Sequence, residues 1–217
     1  MNENKTNINW LGGLMAKLLF KYATMNSGKT IDLLRTAYNY EENNGKVLII
    51  KPKIDTKGDN KITSRVGLER EVDFLICYDD ELFELFKGKL DKVDAILVDE
   101  AQFFSKKQID DLSIISKVMN IDVICYGLRV NFRGELFEGS KKLFEVADSI
   151  DELVTLCKCR NIARFVGRKE DGIFKIDGPE ILIDGSVKNV EYVPLCKDCY
   201  LKEVKNIDYD NIKKILE

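Results

Sequence analysis

The feature that most restricts the fold is a short loop, residues 23–30, which joins an apolar run to an amphipathic segment. The run at 18–22 has the composition of a buried strand, and the segment at 30–42 repeats apolar side chains every three or four positions, as a helix does. The loop itself ends in Gly-Lys-Thr. A strand, a loop of this kind and a helix predict a phosphate site, because backbone N–H groups of the loop and of the first helical turn point at the anion.

Individual residues of this loop have the chemistry needed to bind ATP. Lys29 supplies a compact positive charge for the β- and γ-phosphates, and the Thr30 hydroxyl can bind Mg²⁺. Ala23 stands where the motif G-x-x-x-x-G-K-[ST] has its first glycine, and an alanine costs about 1 kcal/mol there if the position requires a positive φ. A chance Gly-Lys-Thr at a helix start is the alternative interpretation. The predicted ATP-binding residues of the loop are Ala23, Thr24, Met25, Asn26, Ser27, Gly28, Lys29 and Thr30.

Residues 15–150 have the pattern of one α/β domain with a parallel sheet. Short apolar runs alternate with helical periodicity, which is typical of βαβ units. Further strands are predicted at 47–51, 95–98 and 121–126, and helices at 79–87 and from Ser105, which has Gln108 at capping-box spacing. The polar segment at 53–71 is too long for an ordinary connection and predicts a mobile functional loop.

Two adjacent carboxylates, Asp99 and Glu100, follow the apolar run at 95–98. Ligand sites of parallel sheets lie at the carboxyl ends of strands, so this pair is expected to face the phosphates. Asp99 is suited to hold Mg²⁺, as in Walker-B strands. The sequence contains no histidine, which leaves Glu100 as the candidate to accept a proton from an attacking hydroxyl or water. The alternative, two solvated strand-end carboxylates, is outweighed by the phosphate loop upstream.

Charge and hydropathy exclude several classes of protein. The chain has 34 basic and 37 acidic residues and no long block of like charge, so broad electrostatic binding to nucleic acid is not expected. No stretch approaches the roughly 20 apolar residues of a membrane-spanning helix. Residues 1–14 are rich in asparagine and aperiodic, which predicts a disordered extension and not a signal peptide. We therefore expect a cytoplasmic protein with reduced thiols.

Four of the six cysteines form two close pairs, Cys157 with Cys159 and Cys196 with Cys199. The pairs are separated by 36 residues, and two thiolate pairs brought together favour tetrahedral Zn²⁺ in a closed, structural site. Four reduced cysteines without metal, or an iron–sulfur cluster, are the alternatives. We assign 151–205 to a small zinc-binding module and 206–217 to a C-terminal helix or tail.

Together these motifs resemble one known family, the type II thymidine kinases. The resemblance covers residues 15–200 and rests on the phosphate loop, the paired cysteines and two further segments. Those segments are Asp99-Glu100-Ala101-Gln102-Phe103 and Tyr126-Gly127-Leu128-Arg129-Val130-Asn131-Phe132-Arg133-Gly134-Glu135-Leu136-Phe137. The resemblance implies a RecA-like parallel sheet with a P-loop, and a zinc module that carries a lasso loop.

The resemblance also implies an activity, the transfer of the γ-phosphate of ATP to the 5′-hydroxyl of thymidine or deoxyuridine. Glu100 would be the catalytic base, and Thr30 and Asp99 would bind Mg²⁺. Ala101 and Gln102 would be further ATP-binding residues. A homotetramer and feedback inhibition by dTTP are further implications. Deoxyuridine should remain a substrate, because a notch for the 5-methyl group discriminates by only about 1–3 kcal/mol.

The implied nucleoside site draws on several parts of the chain. Arg65, in the long polar segment, would reach the phosphates, although a solvated loop arginine is the alternative. The lasso loop, which is the segment between the cysteine pairs, would hold the base through backbone groups near Ile183 and through Tyr192. The segment at 186–191 is longer than the family pattern, which leaves the register of the lasso contacts open. Positions that match the thymine pocket are Met25, Phe103, Leu128, Phe132 and Phe137. Each of these aromatic side chains is also compatible with simple core packing.

Two other functions are compatible with parts of the sequence. A RecA-like ATPase that acts on nucleic acid would share the phosphate loop, but the chain is short and acidic and has no basic stripe with interleaved aromatic residues. A zinc-ribbon interaction module on an inactive nucleotide-binding scaffold would retain the cysteine pairs but would have no need of Glu100.

Overall fold

The computed structural model of the protein describes residues 16–55, 60–180 and 189–217. The predicted disordered extension at 1–14 lies outside the described residues. In chain order the elements are β1 (Leu18–Ala23), α1 (Lys29–Glu42), β2 (Val47–Pro52), β3 (Lys61–Thr63), β4 (Glu69–Glu71), β5 (Phe74–Ile76), α2 (Leu82–Leu85), β6 (Ala95–Val98), a 3₁₀ turn (Ala101–Phe103), α3 (Lys106–Met119), β7 (Asp122–Leu128), α4 (Glu138–Val146), β8 (Ser149–Leu153), β9 (Thr155–Leu156), β10 (Ile162–Ala163), β11 (Phe165–Glu170), β12 (Ile173–Lys175), β13 (Val190–Leu195), α5 (Lys197–Glu203) and α6 (Tyr209–Leu216).

A parallel sheet of six strands, in the order β5-β2-β6-β7-β1-β8, forms the centre of the α/β domain. The predicted α/β class is therefore confirmed. Ala23 at the end of β1 pairs with Leu128 at the end of β7, and Val98 at the end of β6 pairs with Cys125 of β7. The carboxyl ends of these three central strands consequently meet at one edge of the sheet, where open α/β folds bind their ligands.

Helices cover both faces of the sheet, because alternate residues of each strand point to opposite sides. On one side Phe20, Val98 and Cys125 belong to a core cluster that includes Leu112 of α3 and Leu143 of α4. On the other side Leu19, Leu97 and Ile124 pack with Leu33 and Ala37 of α1. The four central strands, β1, β2, β6 and β7, are buried on both faces, as their continuous apolar runs predict.

Four parts of the α/β domain depart from the predictions. The segment at 53–71, expected to be a mobile loop, contains the antiparallel hairpin β3–β4, with residues 56–59 outside the described range. The short strand β5 and helix α4 were not predicted at all. Strand β8 pairs with β1, so the division predicted between 150 and 151 falls inside the central sheet. We therefore propose that the small module begins after β8.

The small module is built on a three-stranded antiparallel sheet, β12-β11-β13, with the short hairpin β9–β10 and helix α5 beside it. Its core combines apolar residues with two of the cysteines: Cys157, Ala163, Leu195, Cys196, Tyr200 and Val204. Helix α6 follows within the C-terminal segment that was predicted to be a helix or tail. Among the described residues, no helix has the length and apolar character needed to cross a bilayer.

Candidate active site and cysteine centre

The loop between β1 and α1 has the backbone shape of a phosphate cradle. Asn26 and Gly28 adopt left-handed conformations, with φ of 66° and 82°, and Gly28 is the N-cap of α1. Ala23 is the last residue of β1 and keeps an extended backbone. The expected cost of an alanine at this position is therefore absent, because no positive φ is required there.

Three side chains of this loop are placed for an anionic ligand. Lys29 is buried, and its Nζ donates a hydrogen bond of 3.2 Å to the carbonyl oxygen of Thr24. Thr30 lies half-buried in the first turn of α1. The Oγ of Ser27 is buried and has no hydrogen-bond partner among the described residues. An unpaired buried hydroxyl beside a positive charge and a helix N-terminus fits a phosphate oxygen.

A buried polar network fixes the helix that carries Lys29 and Thr30. Asp32 of α1 accepts hydrogen bonds from Lys21 Nζ at 2.7 Å and from the Tyr126 hydroxyl at 3.1 Å. Burial opposes the ionisation of Asp32, but the hydrogen bond and charge of Lys21, the charge of Arg35 and the hydrogen bond from Tyr126 together lower its pKa. Sequence reasoning missed this network, although a lone lysine in the apolar strand β1 signals a buried partner.

The two carboxylates lie at the carboxyl end of β6, as predicted. Asp99 is buried, and its Oδ1 accepts the backbone N–H of Glu100 at 3.0 Å. Burial and the neighbouring charge of Glu100 raise the pKa of Asp99 to about 7, against the opposing influence of Lys29. A divalent cation would stabilise the ionised form, so the residues present fit Mg²⁺.

Glu100 has an unusual backbone conformation for a residue that is not glycine, with φ 46° and ψ 43°. Such strain persists only where the surrounding structure enforces it, and it is common at functional sites. The Oε2 atom of Glu100 accepts a hydrogen bond of 2.6 Å from Nε2 of Gln102. Gln102 and Ala101 are both buried in the 3₁₀ turn that follows. The strained residue is therefore held by its own neighbours.

The residues expected to line the thymine pocket fall into two groups. Phe103 and Phe137 meet edge to face with ring centroids 5.6 Å apart, and the backbone N–H of Leu128 contacts Gln102 at 2.9 Å. These contacts lie near Glu100. Met25 is half-buried in the phosphate loop, whereas Phe132 is almost fully buried under the guanidinium of Arg168, 3.8 Å from its ring centroid. Phe132 therefore has a packing role against Arg168, in addition to its match to the thymine pocket.

Three further residues are predicted to contact the nucleoside and belong to other parts of the chain: Arg65, Tyr192 and Ile183. Arg65 is exposed in the turn of the β3–β4 hairpin. Tyr192 of β13 lies opposite Arg168 of β11 in the small module. Ile183 lies outside the described residues, together with the rest of 181–188.

A second set of contacts, which sequence reasoning missed, holds residues 177–180 of the lasso segment from both the small module and the α/β domain. Arg168 donates to the carbonyl oxygens of Asp177 and of Pro179, the latter at 2.7 Å. From the other side, Arg133 donates to the Gly178 carbonyl at 2.9 Å, and Asn131 Nδ2 donates to Glu180 at 2.7 Å. An arginine inside the buried strand β11 is the sequence signal for this site.

The four paired cysteines converge in the small module. Their Sγ atoms all lie within 4.8 Å of one another, and Cys159 Sγ is 3.5 Å from Cys196 Sγ. A tetrahedral Zn²⁺ with Zn–S bonds of about 2.3 Å requires S···S distances of about 3.8 Å, so the donor set fits zinc. The backbone N–H of Asn161, together with the neighbouring thiol of Cys196, lowers the pKa of Cys159 to about 7, which favours the thiolate that binds metal.

Comparisons with known proteins agree with this geometry. A family model described as "Thymidine kinase" matches residues 16–200. The chain is 44% identical over 187 residues to a thymidine kinase of Mannheimia succiniciproducens, which covers 84% of this chain and 94% of the relative. It is 42% identical over 197 residues to a thymidine kinase of Haemophilus influenzae, which covers 89% of this chain and 100% of the relative. A thymidine kinase of Streptococcus pyogenes is 40% identical over 188 residues, 86% of this chain and 97% of the relative.

Proposed function

The chain belongs to the thymidine kinase family, and we propose that it transfers the γ-phosphate of ATP to the 5′-hydroxyl of thymidine with Glu100 as the catalytic base. The observation that carries this assignment is the position of Glu100 at the carboxyl end of β6, beside the strand β7 that pairs with the end of β1. The phosphate loop leaves β1 at that same edge. A base and a phosphate cradle are therefore neighbours.

The chemistry proposed for each residue follows from what phosphoryl transfer requires, which is positioning and stabilisation of charge. The loop from Ala23 to Gly28 would bind the ATP phosphates through its N–H groups, and Lys29 would neutralise the β- and γ-phosphates. Glu100 would accept the proton of the 5′-hydroxyl as that oxygen attacks. Thr30 and Asp99 would hold Mg²⁺, which supplies positive charge to the phosphates when bound.

The pyrimidine would lie beside Leu128, Phe103 and Phe137. The edge-to-face pair of phenylalanines offers an apolar wall for the base, and Leu128 is held in place by its backbone N–H. Tyr192 would join from the small module. An apolar wall distinguishes a 5-methyl group by only about 1–3 kcal/mol, so we propose deoxyuridine as a second substrate.

Zinc would have a structural role in this enzyme. Cys157 and Cys196 are buried in the core of the small module, and the four sulfurs would leave no open coordination position for a substrate. Zinc would thereby pin the hairpin β9–β10 to the start of α5. We further propose that the enzyme is a cytoplasmic homotetramer and that dTTP inhibits it. Light scattering would test the oligomeric state, and turnover of thymidine with and without dTTP would test the inhibition.

The proposed base is tested by the substitution Glu100→Gln, which keeps the shape of the side chain and removes its basicity. We expect kcat for thymidine phosphorylation to fall by about 10²–10⁴-fold, the usual contribution of a general base, with the KM for ATP nearly unchanged. Glu84→Gln is a matched control, because the Glu84 side chain is exposed on α2 and pairs only with Lys87 among the recorded ion pairs of the described chain.

Two results would contradict the proposal in different ways. Full turnover by the Glu100→Gln variant would remove Glu100 from the role of base. Wild-type protein that phosphorylates no pyrimidine deoxynucleoside, with ATP and Mg²⁺ present and the fold intact by circular dichroism, would contradict the activity itself.

A further inference from the structure

The side chain of Gln102 connects the proposed catalytic base to the neighbouring strand. It is 2% exposed and lies in the 3₁₀ turn directly after Glu100. Its Nε2 donates to Glu100 Oε2 at 2.6 Å, and its Oε1 accepts the backbone N–H of Leu128 at 2.9 Å. One amide group therefore bridges the end of β6 to the end of β7.

The direction of this amide is dictated by chemistry. The backbone N–H of Leu128 can only donate a hydrogen bond, so it must face the oxygen of the Gln102 amide. The NH₂ group of Gln102 then necessarily faces Glu100, and a carboxylate oxygen accepts from it. This leaves the second oxygen of Glu100, Oε1, available for another partner. The amide thus holds one oxygen of the carboxylate and leaves the other for a substrate hydroxyl.

Close packing prevents Gln102 from taking another position. A Cβ atom at Gly127 would lie 2.9 Å from Oε1 of Gln102 and 3.2 Å from its backbone nitrogen, so only a glycine permits this approach. A Cβ atom at Gly139 would lie 3.0 Å from the carbonyl oxygen of Gln102. The next residue of α4, Ser140, donates to the Leu128 carbonyl at 2.5 Å. Strand β7 and helix α4 therefore enclose the turn that carries Gln102.

We propose that Gln102 is a positioning residue, which fixes the Glu100 carboxylate toward the 5′-hydroxyl before the substrate binds. A glutamate side chain loses up to about 2 kcal/mol of rotational freedom when it is immobilised, and an anchor already present in the free enzyme removes that cost from the reaction. This role differs from direct contact with ATP, the role that family resemblance alone suggests for Gln102. The inference rests on the proposed role of Glu100 as the base.

The substitution Gln102→Met tests the inference, because it keeps the length of the side chain and removes both hydrogen bonds. The matched control is Gln108→Met. Gln108 is also 2% exposed, and its Nε2 donates to the carbonyl oxygens of Cys77 at 2.8 Å and Asp80 at 3.1 Å, away from the carboxylates. Steady-state kinetics with thymidine and with ATP would be measured for both variants, together with the melting temperature.

A positioning role predicts a fall in kcat of about 10–100-fold for Gln102→Met, with both KM values within about threefold of wild type. Gln108→Met should lose thermal stability and keep its kcat within about twofold. A purely structural role for Gln102 would instead lower the melting temperature of both variants and leave kcat of the folded protein alike. That result would overturn the inference.

A second variant covers the case in which Gln102→Met does not fold. Gln102→Asn keeps the amide but shortens its arm, so it cannot reach Glu100 and Leu128 together, and we expect its kcat to fall at least tenfold. Wild-type kcat in Gln102→Asn would overturn the inference. Glu100→Gln, measured alongside, separates the two proposals: if it is impaired while the Gln102 variants are fully active, only the positioning role fails. If Glu100→Gln is itself fully active, the proposed base fails, and the positioning role fails with it.

Discussion

The substitution Arg168→Met provides a quantitative test of how the segment at 177–180 is held within the small module, with one further contact to Phe132 of the α/β domain. Arg168 is 1% exposed, donates to the carbonyl oxygens of Asp177 and Pro179, pairs with Glu170 at 3.2 Å and stacks on Phe132. Hydrogen bonds from a charged donor contribute about 1.5–3 kcal/mol each. Both carbonyls belong to exposed residues and regain water when the arginine is removed, so the lower value applies, about 3 kcal/mol for the pair.

The stacking of Arg168 on Phe132 adds to this loss. A desolvated cation–π contact contributes about 2 kcal/mol, and the methionine sulfur restores up to about 1 kcal/mol of it against the same ring. We therefore expect Arg168→Met to lower the free energy of unfolding by about 4 kcal/mol, measured by urea titration of the full chain with circular dichroism. The KM for thymidine should rise more than the KM for ATP, because residues 177–180 belong to the lasso segment that is proposed to hold the base.

Arg164→Met is the matched control for this measurement. The Arg164 side chain is 48% exposed and pairs with Glu152 at 2.8 Å, and exposed ion pairs contribute about 0–1 kcal/mol. Equal losses of stability for Arg164→Met and Arg168→Met, or a loss below about 1 kcal/mol for Arg168→Met, would refute the reasoning.

Two further predictions concern the metal and the packing of the active-site turn. Cys196→Ser should leave the purified protein without its zinc, as measured by metal analysis, and should lower its melting temperature. The reason is that the small module would lose the ligand set that closes its core. A zinc content equal to that of the wild type would contradict the assignment of this site. Gly139→Ala should destabilise the protein by about 1–3 kcal/mol in thermal unfolding. A Cβ atom at this position would lie 2.8 Å from the Phe104 carbonyl oxygen and still closer to that of Ala101. Unchanged stability would contradict this prediction and show that α4 can shift freely.

The parts of the fold that were predicted correctly are those with strong local patterns. The strand β6 was located to the residue, because a run of four buried apolar side chains is bounded by carboxylates. The helix α3 begins where Ser105 and Gln108 form the predicted capping box. The start of α1 was placed within one residue by the Gly-Lys-Thr sequence. Each of these signals lies within a few residues along the chain.

The parts that were missed depend on contacts between distant residues or on weak patterns. Strand β8 lies at the edge of the sheet and has exposed and half-buried residues only, so it carries no apolar alternation. The hairpin β3–β4 is similarly polar. Gln102 meets Leu128 across 26 residues of sequence, and no local feature identifies that partner. Arg168 was overlooked because arginine is rarely buried, and only the surrounding structure shows what binds it.

The central claim is that Glu100 accepts the proton of the thymidine 5′-hydroxyl. A crystal structure with thymidine and a non-hydrolysable ATP analogue would measure the distance from that oxygen to the Glu100 carboxylate directly. We predict a hydrogen bond of about 2.6–3.2 Å, made by the carboxylate oxygen that Gln102 does not bind. A 5′-oxygen that contacts another side chain and lies beyond the reach of one bridging water from Glu100 would contradict the account.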